Sequence, residues 1–475
     1  MGPLGPRLVV AGTGVRAGKT TITTGLLAAL RSRGDRVASA KVGPDFIDPG
    51  YHALATRRPG RNLDPWMSGA AAIPALAAGA ATGADLLVVE GVMGLFDGAS
   101  FVPDELDADR AALPTHVDLA STAHVAMLLD APVLLVVDAG AMSGSVAALV
   151  HGFASLAPEV RVAGVLLNRV GSDSHEAMLR RALEPLEIPV LGALHRDDAL
   201  VWRDRHLGLV PVVEHVEAVR MSIDRLARHL AARCDLDAIA AVARAAPVRT
   251  VDPLPTARPQ GRPRLAVARG PAFSFTYPDN DERLVQAGAE LVPFDPATDR
   301  ALPAGCSGLV AGGGFPEVFA GELAANAPLL ADVRARVRGG LVTWAECGGL
   351  LWLADSLDGH AMAGAVPTSA AMGDRLALGY RHARVRAANP IASAGAVLRG
   401  HEFHYSRTDP GGDALELRGR TGTAVEGFAT SSLLATYLHL HLGADPAPAE
   451  RFVAACTAAD PADRRDPATT EGART

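Results

Sequence analysis

RLVVAGTGVRAGKTT, residues 7–21, predicts a buried strand, a glycine-bearing loop and the beginning of a helix. In that order, the loop amides and the positive end of the helix dipole can cradle phosphate oxygens, while Lys19 adds a charge and Thr20 can bind magnesium. The motif G-x-x-x-x-G-K-[ST] has glycine where Thr13 stands, so the alternative is a glycine turn that caps a helix. The candidate nucleotide-binding residues here are Gly12, Thr13, Gly18, Lys19, Thr20 and Thr21.

Charged residues follow the next two predicted strands. ASAKVGPDFIDPGYH, residues 38–52, carries Lys41, Asp45 and Asp48, and the strand LLVVE ends at Glu90, with Asp97 in the loop that follows. Chemistry on ATP needs oxygen ligands for magnesium and cations along the transferring phosphate, and these residues can supply both. Taken singly, each could equally be a solvated loop charge or a helix cap.

The pattern of short apolar runs and Ala/Leu-rich stretches predicts an α/β fold with a parallel sheet in the first half. A Pro- and Arg-rich stretch, residues 244–263, predicts a linker between domains 1–243 and 264–455, and the polar residues 456–475 predict a disordered tail. Besides the strand candidate that begins at Arg36, the predicted strands are Arg7–Ala11, Leu86–Glu90, Val133–Asp138, Val162–Asn168, Val190–Leu194, Arg264–Ala268, Leu309–Ala311 and Gly340–Trp344.

In the second half, GLVTWAECGGLLWL, residues 340–353, predicts a strand, a sharp turn and a helix with Cys347 in the turn. We expect the helix N-terminus to lower the pKa of this thiol and make it a nucleophile. The amides of Gly313 and Gly314, which follow another strand, can form an oxyanion hole. The alternative is that Cys347 is a small buried hydrophobic residue. His439, in TYLHLHL, is the candidate base.

Composition excludes several classes of protein. The 475 residues carry a formal net charge of −7 and only 4% aromatic residues, which argues against a nucleic-acid partner. The four cysteines are widely spaced and indicate neither a disulfide framework nor a zinc site. Without a signal peptide or a membrane-length apolar run, we expect a cytoplasmic protein.

Four further stretches make a resemblance specific: KVGPDFIDPGYH, RNLDPWM, VVEGVMGLFDG and LNRVGS occur in this order. The chain resembles the cobyrinate and hydrogenobyrinate a,c-diamide synthase family, and its first half resembles dethiobiotin synthetase. The second half resembles the cobalamin-type branch of class I glutamine amidotransferases. The resemblance implies a P-loop NTPase-like domain with a parallel sheet followed by a glutamine amidotransferase domain.

The resemblance also implies roles for single residues. Thr20, Glu90 and either Asp45 or Asp48 would hold Mg²⁺, Lys41 and Asp97 would face the reacting phosphate and carboxylate, and Asn168 would contact adenine. Cys347 would be the nucleophile and His439 its base. Many relatives of this type have glutamate two positions after the histidine, where this chain has His441. A Cys–His dyad or another orienting group is therefore expected, with Glu402 as one alternative.

The activity that the resemblance implies is ATP- and glutamine-dependent amidation of the a- and c-carboxylates of cobyrinate or hydrogenobyrinate in cobalamin biosynthesis. The expected partners are ATP, L-glutamine and a corrinoid polycarboxylate, with a homodimer left open. Alternatives are amidation of another tetrapyrrole, such as nickel-sirohydrochlorin a,c-diamide synthesis, or cobyrate synthesis. A P-loop ATPase carrying an inactive glutaminase domain is the non-enzymatic alternative.

Overall fold

The computed structural model describes residues 2–196, 204–205, 208–209 and 216–459. The chain divides into two compact units, Met1–Leu254 and Pro255–Thr475. No helix of the described residues is long and apolar enough to span a membrane.

The first unit is built on a parallel sheet of seven strands. Its order is β3-β2-β4-β1-β5-β6-β7, which places β1 and its glycine loop between β4 and β5. The strands are β1 Arg7–Gly12, β2 Val37–Val42, β3 Arg61–Leu63, β4 Leu86–Glu90, β5 Val133–Asp138, β6 Val162–Val170 and β7 Val190–His195, and a separate pair is formed by β8 Asp204–Arg205 and β9 Gly208–Leu209.

Helices cover this sheet and bury its apolar strands. Strands β1, β2 and β4 are buried at every position, as expected of a parallel sheet covered on both faces. The helices are α1 Lys19–Ser32, α2 Ile47–Thr56, α3 Pro65–Ser68, α4 Ile73–Ala81, α5 Asp107–Ala111, α6 Thr122–Leu129, α7 Ser145–Ser155, α8 Asp173–Leu183, α9 Val216–Arg233 and α10 Leu236–Arg244. Helix α9 packs so closely on α1 that a Cβ atom at Gly25 would lie 3.0 Å from Leu230 Cδ1.

The second unit has a largely parallel sheet and an antiparallel one. The first has the order β11-β10-β12-β13-β21-β20, in which only β20 is antiparallel to its neighbour. In the second, β16 and β17 form a long antiparallel pair. The strands are β10 Arg264–Ala268, β11 Glu290–Phe294, β12 Cys306–Ala311, β13 Val342–Glu346, β14 Ser356–Leu357, β15 His360–Ala361, β16 Ser369–Val385, β17 Val397–Asp409, β18 Leu415–Gly419, β19 Gly422–Glu426, β20 Phe428–Thr430, β21 Leu433–Thr436 and β22 His439–Leu440.

Successive side chains along the strands of the largely parallel sheet point to opposite faces and enter two separate hydrophobic cores. Ala266 and Ala268 of β10 face a cluster around Trp352, whereas Leu265 and Val267 face a cluster around Phe452. The helices of this unit are α11 Pro278–Gln286, α12 Ala320–Ala325, α13 Ala327–Arg338, α14 Gly348–Leu353 and α15 Ala447–Ala459.

Two sequence-based expectations differ from the structure here. Helix α15 continues to Ala459 and buries Cys456, because its apolar face packs on the sheet, so the predicted disordered tail is wrong for residues 456–459. The remainder of that prediction, residues 460–475, lies outside the described residues. The predicted strand Gly340–Trp344 is shifted, since β13 begins at Val342 and ends at Glu346.

Candidate active site

The phosphate loop joins β1 to α1. Gly18 caps α1 with a φ of 95°, a left-handed conformation that favours glycine. The stem of Lys19 folds back over the loop, where a Cβ atom at Gly12 would lie 3.0 Å from Lys19 Cγ. Lys19 Nζ donates to the carbonyls of Gly14, at 3.1 Å, and of Met93. Burial, and then the charge of Lys41, lower the pKa of Lys19 to about 8.

Asn168, near the end of β6, contacts this loop directly. Its Nδ2 donates to the Ala17 carbonyl at 2.9 Å, and a Cβ atom at Gly18 would lie 2.2 Å from the same nitrogen. Its Oδ1 accepts from the Arg169 amide at 2.9 Å. The side chain therefore supports the phosphate loop, and its predicted contact with adenine stays a prediction.

Neighbouring strands bring a buried cation and two carboxylates to the same edge of the sheet. Lys41 of β2 is in register with Glu90 of β4. Lys41 Nζ lies 2.9 Å from Glu90 Oε1 and 2.7 Å from Asp48 Oδ2. Burial opposes the charge on Lys41, but the attraction of Asp48 and Glu90 outweighs it and raises the pKa of Lys41. Thr20 Oγ1 donates to Glu90 at 2.7 Å and lies 3.3 Å from Asp48 Oδ2.

The other two predicted acids have local partners. Asp45 accepts from the amides of Ile47 and Asp48, at 2.9 and 3.4 Å, and so holds the beginning of α2. Asp97 accepts from the Gly94 amide at 2.9 Å. The loop that carries Asp97 lies beside the phosphate loop, because the amide of Leu95 donates to the Gly12 carbonyl at 3.0 Å.

His52 belongs to the same cluster and was not predicted. Its Nε2 lies 2.7 Å from Glu90 Oε2, and both side chains are fully buried. Burial tends to raise the pKa of Glu90, but Lys41 and His52 outweigh this effect and hold it below its usual range. The sequence carried a signal, since His52 follows Asp48 by four residues and so lies on the same face of α2.

In the second unit, Cys347 lies in a sharp turn between β13 and α14. Its φ of 47° is unusual for a residue with a side chain and identifies a strained elbow. The next two residues must be small, because a Cβ atom at Gly349 would lie 2.1 Å from the Ala311 carbonyl oxygen and one at Gly348 would lie 3.1 Å from the Gly314 amide. The elbow is therefore packed against the predicted oxyanion loop.

The environment of Cys347 differs from the expectation. Burial, and then the charge of Glu317, raise the pKa of the thiol above its ordinary value, while the Gly348 amide acts in the opposite direction. The expected lowering by the helix N-terminus is thus wrong as a net effect, because the thiol is almost completely buried. A raised pKa disfavours the thiolate, so this thiol needs a base to ionise it.

His439 lies next to the oxyanion loop. A Cβ atom at Gly313 would lie 2.5 Å from His439 Cε1 and 3.4 Å from its Nε2. On the other side, His439 Nδ1 lies 3.4 Å from Glu346 Oε2. The ring of His439 also stacks on that of His401, with centroids 5.0 Å apart, and His401 Nε2 lies 2.9 Å from the Tyr277 hydroxyl. The His439 ring is therefore enclosed on several sides.

Glu402, the orienting group suggested by sequence, has other partners. Its carboxylate pairs with Arg381 and lies 3.6 Å from His404 Nε2. His441, which stands where many relatives have an acid, lies 3.6 Å from Asp279. The carboxylate facing His439 is thus Glu346, which sequence reasoning missed although it directly precedes the nucleophile.

Comparison with known proteins matches both units. The family described as "CobQ/CobB/MinD/ParA nucleotide binding domain" matches residues 8–209, and "CobB/CobQ-like glutamine amidotransferase domain" matches residues 264–447. A hydrogenobyrinate a,c-diamide synthase of Streptomyces coelicolor is 45% identical over 95% of this chain and 97% of its own length. That of Thermobifida fusca is 45% identical over 96% and 98%, and a Synechococcus cobyrinate a,c-diamide synthase is 40% identical over 94% and 98%.

The chain belongs to the cobyrinate and hydrogenobyrinate a,c-diamide synthase family. Membership confirms the family predicted from the sequence and the predicted class, an α/β nucleotide-binding unit followed by a glutamine amidotransferase unit. It also confirms the prediction of an amide-forming enzyme that uses glutamine.

The phosphate-loop site of this a,c-diamide synthase family member fits magnesium. The Thr20 hydroxyl and the carboxylates of Asp48 and Glu90 form the all-oxygen donor set that magnesium prefers. Burial, and then the nearby charges of Asp45 and Glu90, raise the pKa of Asp48 well above its usual range. A divalent cation would relieve this crowding of carboxylates.

The ligand atoms of Asp45, Asp48 and Glu90 do not all lie within 4.8 Å of one another. Within the described residues, the group of three acidic, histidine or cysteine ligands whose ligand atoms lie within 4.8 Å of one another is Asp173, Glu176 and His195. In that group Glu176 pairs with Arg180 and with His195, so its carboxylate already has partners.

Proposed function

We propose that this chain uses ATP and glutamine to convert the a- and c-carboxylates of hydrogenobyrinate or cobyrinate into amides. The observation that carries this proposal is the presence of two complementary sites in one member of the a,c-diamide synthase family. One surrounds Lys19, Thr20 and Glu90, and the other surrounds Cys347 and His439. The 45% identity to hydrogenobyrinate enzymes, against 40% to cobyrinate enzymes, favours the metal-free substrate.

In the second unit, Cys347 is the nucleophile and His439 its base. His439 takes the thiol proton, and the thiolate attacks the side-chain carbonyl carbon of glutamine. The amides of Gly313 and Gly314 stabilise the oxyanion. When the C–N bond breaks, His439 returns the proton to the leaving nitrogen, which departs as ammonia. Water then hydrolyses the thioester and releases glutamate.

In the first unit, the substrate carboxylate attacks the γ-phosphorus of ATP. ADP leaves, and the acyl phosphate gives the carbonyl a good leaving group, which ammonia then displaces as inorganic phosphate. The loop amides and Lys19 bind the phosphates, and Lys41 and Asp97 face the reacting groups. Magnesium, when bound, neutralises charge on the β- and γ-phosphates.

The choice between Asp45 and Asp48 as a magnesium ligand falls on Asp48. Asp48 Oδ2 lies 3.3 Å from the Thr20 hydroxyl, whereas both oxygens of Asp45 accept backbone amides at the beginning of α2. We therefore assign magnesium to Thr20, Asp48 and Glu90. We also propose that the protein is cytoplasmic and has no nucleic-acid partner.

The test is amidation of each corrinoid with ATP, magnesium and amide-¹⁵N glutamine, followed by mass spectrometry. We expect two ¹⁵N atoms in the product of at least one substrate and none without ATP. The Cys347→Ala variant should lose transfer from glutamine while ammonia still supports amidation. If neither corrinoid gains two amides, the substrate assignment is wrong, and if Cys347→Ala still uses glutamine, the nucleophile is wrong.

A further inference from the structure

We infer that Glu346 is the positioning residue of the glutaminase site: its carboxylate orients His439 through Nδ1 and stabilises the charge that the imidazole gains when it takes the proton of Cys347. This inference rests on the proposed function. It gives the site a Cys–His–Glu arrangement in which the acid precedes the nucleophile in sequence and does not follow the histidine.

The two carboxylate oxygens of Glu346 face His439 and the backbone of the next residue. Glu346 Oε2 lies 3.4 Å from His439 Nδ1, while Oε1 accepts from the amide of Leu440 at 3.2 Å. The same carboxylate thus holds both the ring of His439 and the backbone of the next residue. Catalytic hydrogen bonds are often long before substrate binds and tighten in the complex. At 3.4 Å the two groups form an ion-pair contact without hydrogen-bond geometry, so the inferred role of Glu346 requires this contact to shorten when glutamine binds.

The two nitrogens of the His439 ring face different groups. Nδ1 faces Glu346, whereas Cε1 and Nε2 lie toward Gly313 and the oxyanion loop. A carboxylate at Nδ1 favours the tautomer with its proton on that nitrogen and leaves Nε2 as the base. Nε2 is then on the side where glutamine would react.

The surroundings of the Glu346 carboxylate also favour this role. Glu346 is buried, with 7% of its surface exposed, and within the described residues it forms no ion pair with lysine or arginine. A buried carboxylate without a cation interacts strongly with a positive charge that forms beside it. Its charge is therefore available to the protonated imidazole.

Two other acids near the site, Glu402 and Glu426, have partners of their own. Glu402 pairs with Arg381 and approaches His404, as described above. Glu426 accepts from the hydroxyl of Thr436 and from the amide of Tyr437. Burial raises the pKa of Glu426 to about 8, so this carboxyl is largely neutral at pH 7. Glu426 therefore offers a matched control for substitution by glutamine.

The experiment compares Glu346→Gln, Glu346→Asp and Glu426→Gln in the full-length protein. Glutamine at position 346 keeps an acceptor for the Leu440 amide but removes the charge. We expect the glutaminase kcat of Glu346→Gln to fall roughly 100-fold, within the range of general acid–base effects, with KM for glutamine changed less than about threefold. Glu346→Asp should recover part of this loss, and Glu426→Gln should keep nearly full kcat.

Two outcomes would overturn the inference. If Glu346→Gln turns over glutamine at the wild-type rate, Glu346 only supports the backbone of Leu440. If Glu346→Gln and Glu426→Gln lose kcat equally, or if KM rises in proportion, the loss reflects packing of the unit. Cys347→Ala separates these results from failure of the proposed function, because glutamine turnover in that variant would refute the nucleophile itself.

Discussion

Replacing Gly313 by alanine places a methyl group against the candidate catalytic histidine. The new Cβ atom would lie 2.5 Å from His439 Cε1 and 3.3 Å from Phe275 Cβ, whereas ordinary contacts begin at about 3.4 Å. The ring must therefore move by about 1 Å, and displacements of this size can reduce a rate roughly 100-fold. We expect such a fall in the glutaminase kcat of Gly313→Ala.

The assay follows glutamate release, together with amidation driven by ammonia in place of glutamine. Ammonia-driven amidation should be unchanged, because it does not use the cysteine site. The backbone amide at residue 313 is kept, so any loss of rate cannot come from removal of an oxyanion donor. Gly321→Ala is the matched control, because a Cβ atom there would meet nothing within 4 Å.

Full glutaminase activity in Gly313→Ala would refute the reasoning, since it would mean that His439 does not need its present position against the oxyanion loop. Equal losses in Gly313→Ala and Gly321→Ala would refute it as well, because they would indicate a general effect on the unit. A melting curve distinguishes displacement of the ring from unfolding, for overpacking alone costs about 1–3 kcal/mol.

Three further predictions concern single side chains. Lys41→Met should lower the free energy of unfolding by about 3 kcal/mol in a denaturant titration, because it leaves two buried carboxylates without their cation. Asn168→Ala should raise KM for ATP several-fold, since loss of one hydrogen bond to the phosphate loop costs about 1 kcal/mol, and a direct ATP-binding measurement checks it. Because burial raises the pKa of Cys347, less thiolate is present at a given pH than in an ordinary thiol, so its alkylation by iodoacetamide should be slow at pH 8 and still rising above pH 9. Cys347→Ala gives the background from the other cysteines, and a plateau near neutral pH would contradict this last prediction.

Most parallel strands of both units were predictable, because buried parallel strands are continuous apolar runs that end at a polar residue, but β3, β11 and β21 were not predicted. β4, β5 and β10 have the predicted bounds. The elbow at Cys347 was predictable because glycines directly after an apolar run permit a tight bend between a strand and a helix. In each case the signal lies within a few neighbouring residues.

The antiparallel sheet of the second unit was not predicted. Strand β16 mixes exposed, half-buried and buried positions without regular alternation, so its sequence does not resemble a strand with one buried face. Glu346 was not predicted because its contact with His439 joins residues far apart in sequence. Such a contact becomes visible only after β13 and β22 have been placed.

Each candidate site has a glutamate at the end of a strand beside a buried histidine, but among the described residues only one of the two glutamates is paired with a lysine. Glu90 and Glu346 are the last residues of strands β4 and β13, and each faces a buried histidine, at 2.7 and 3.4 Å. Glu90, however, is already balanced by Lys41 at 2.9 Å. Glu346 forms no such pair in the described part of the chain, and its charge is free to stabilise the imidazolium that proton transfer creates.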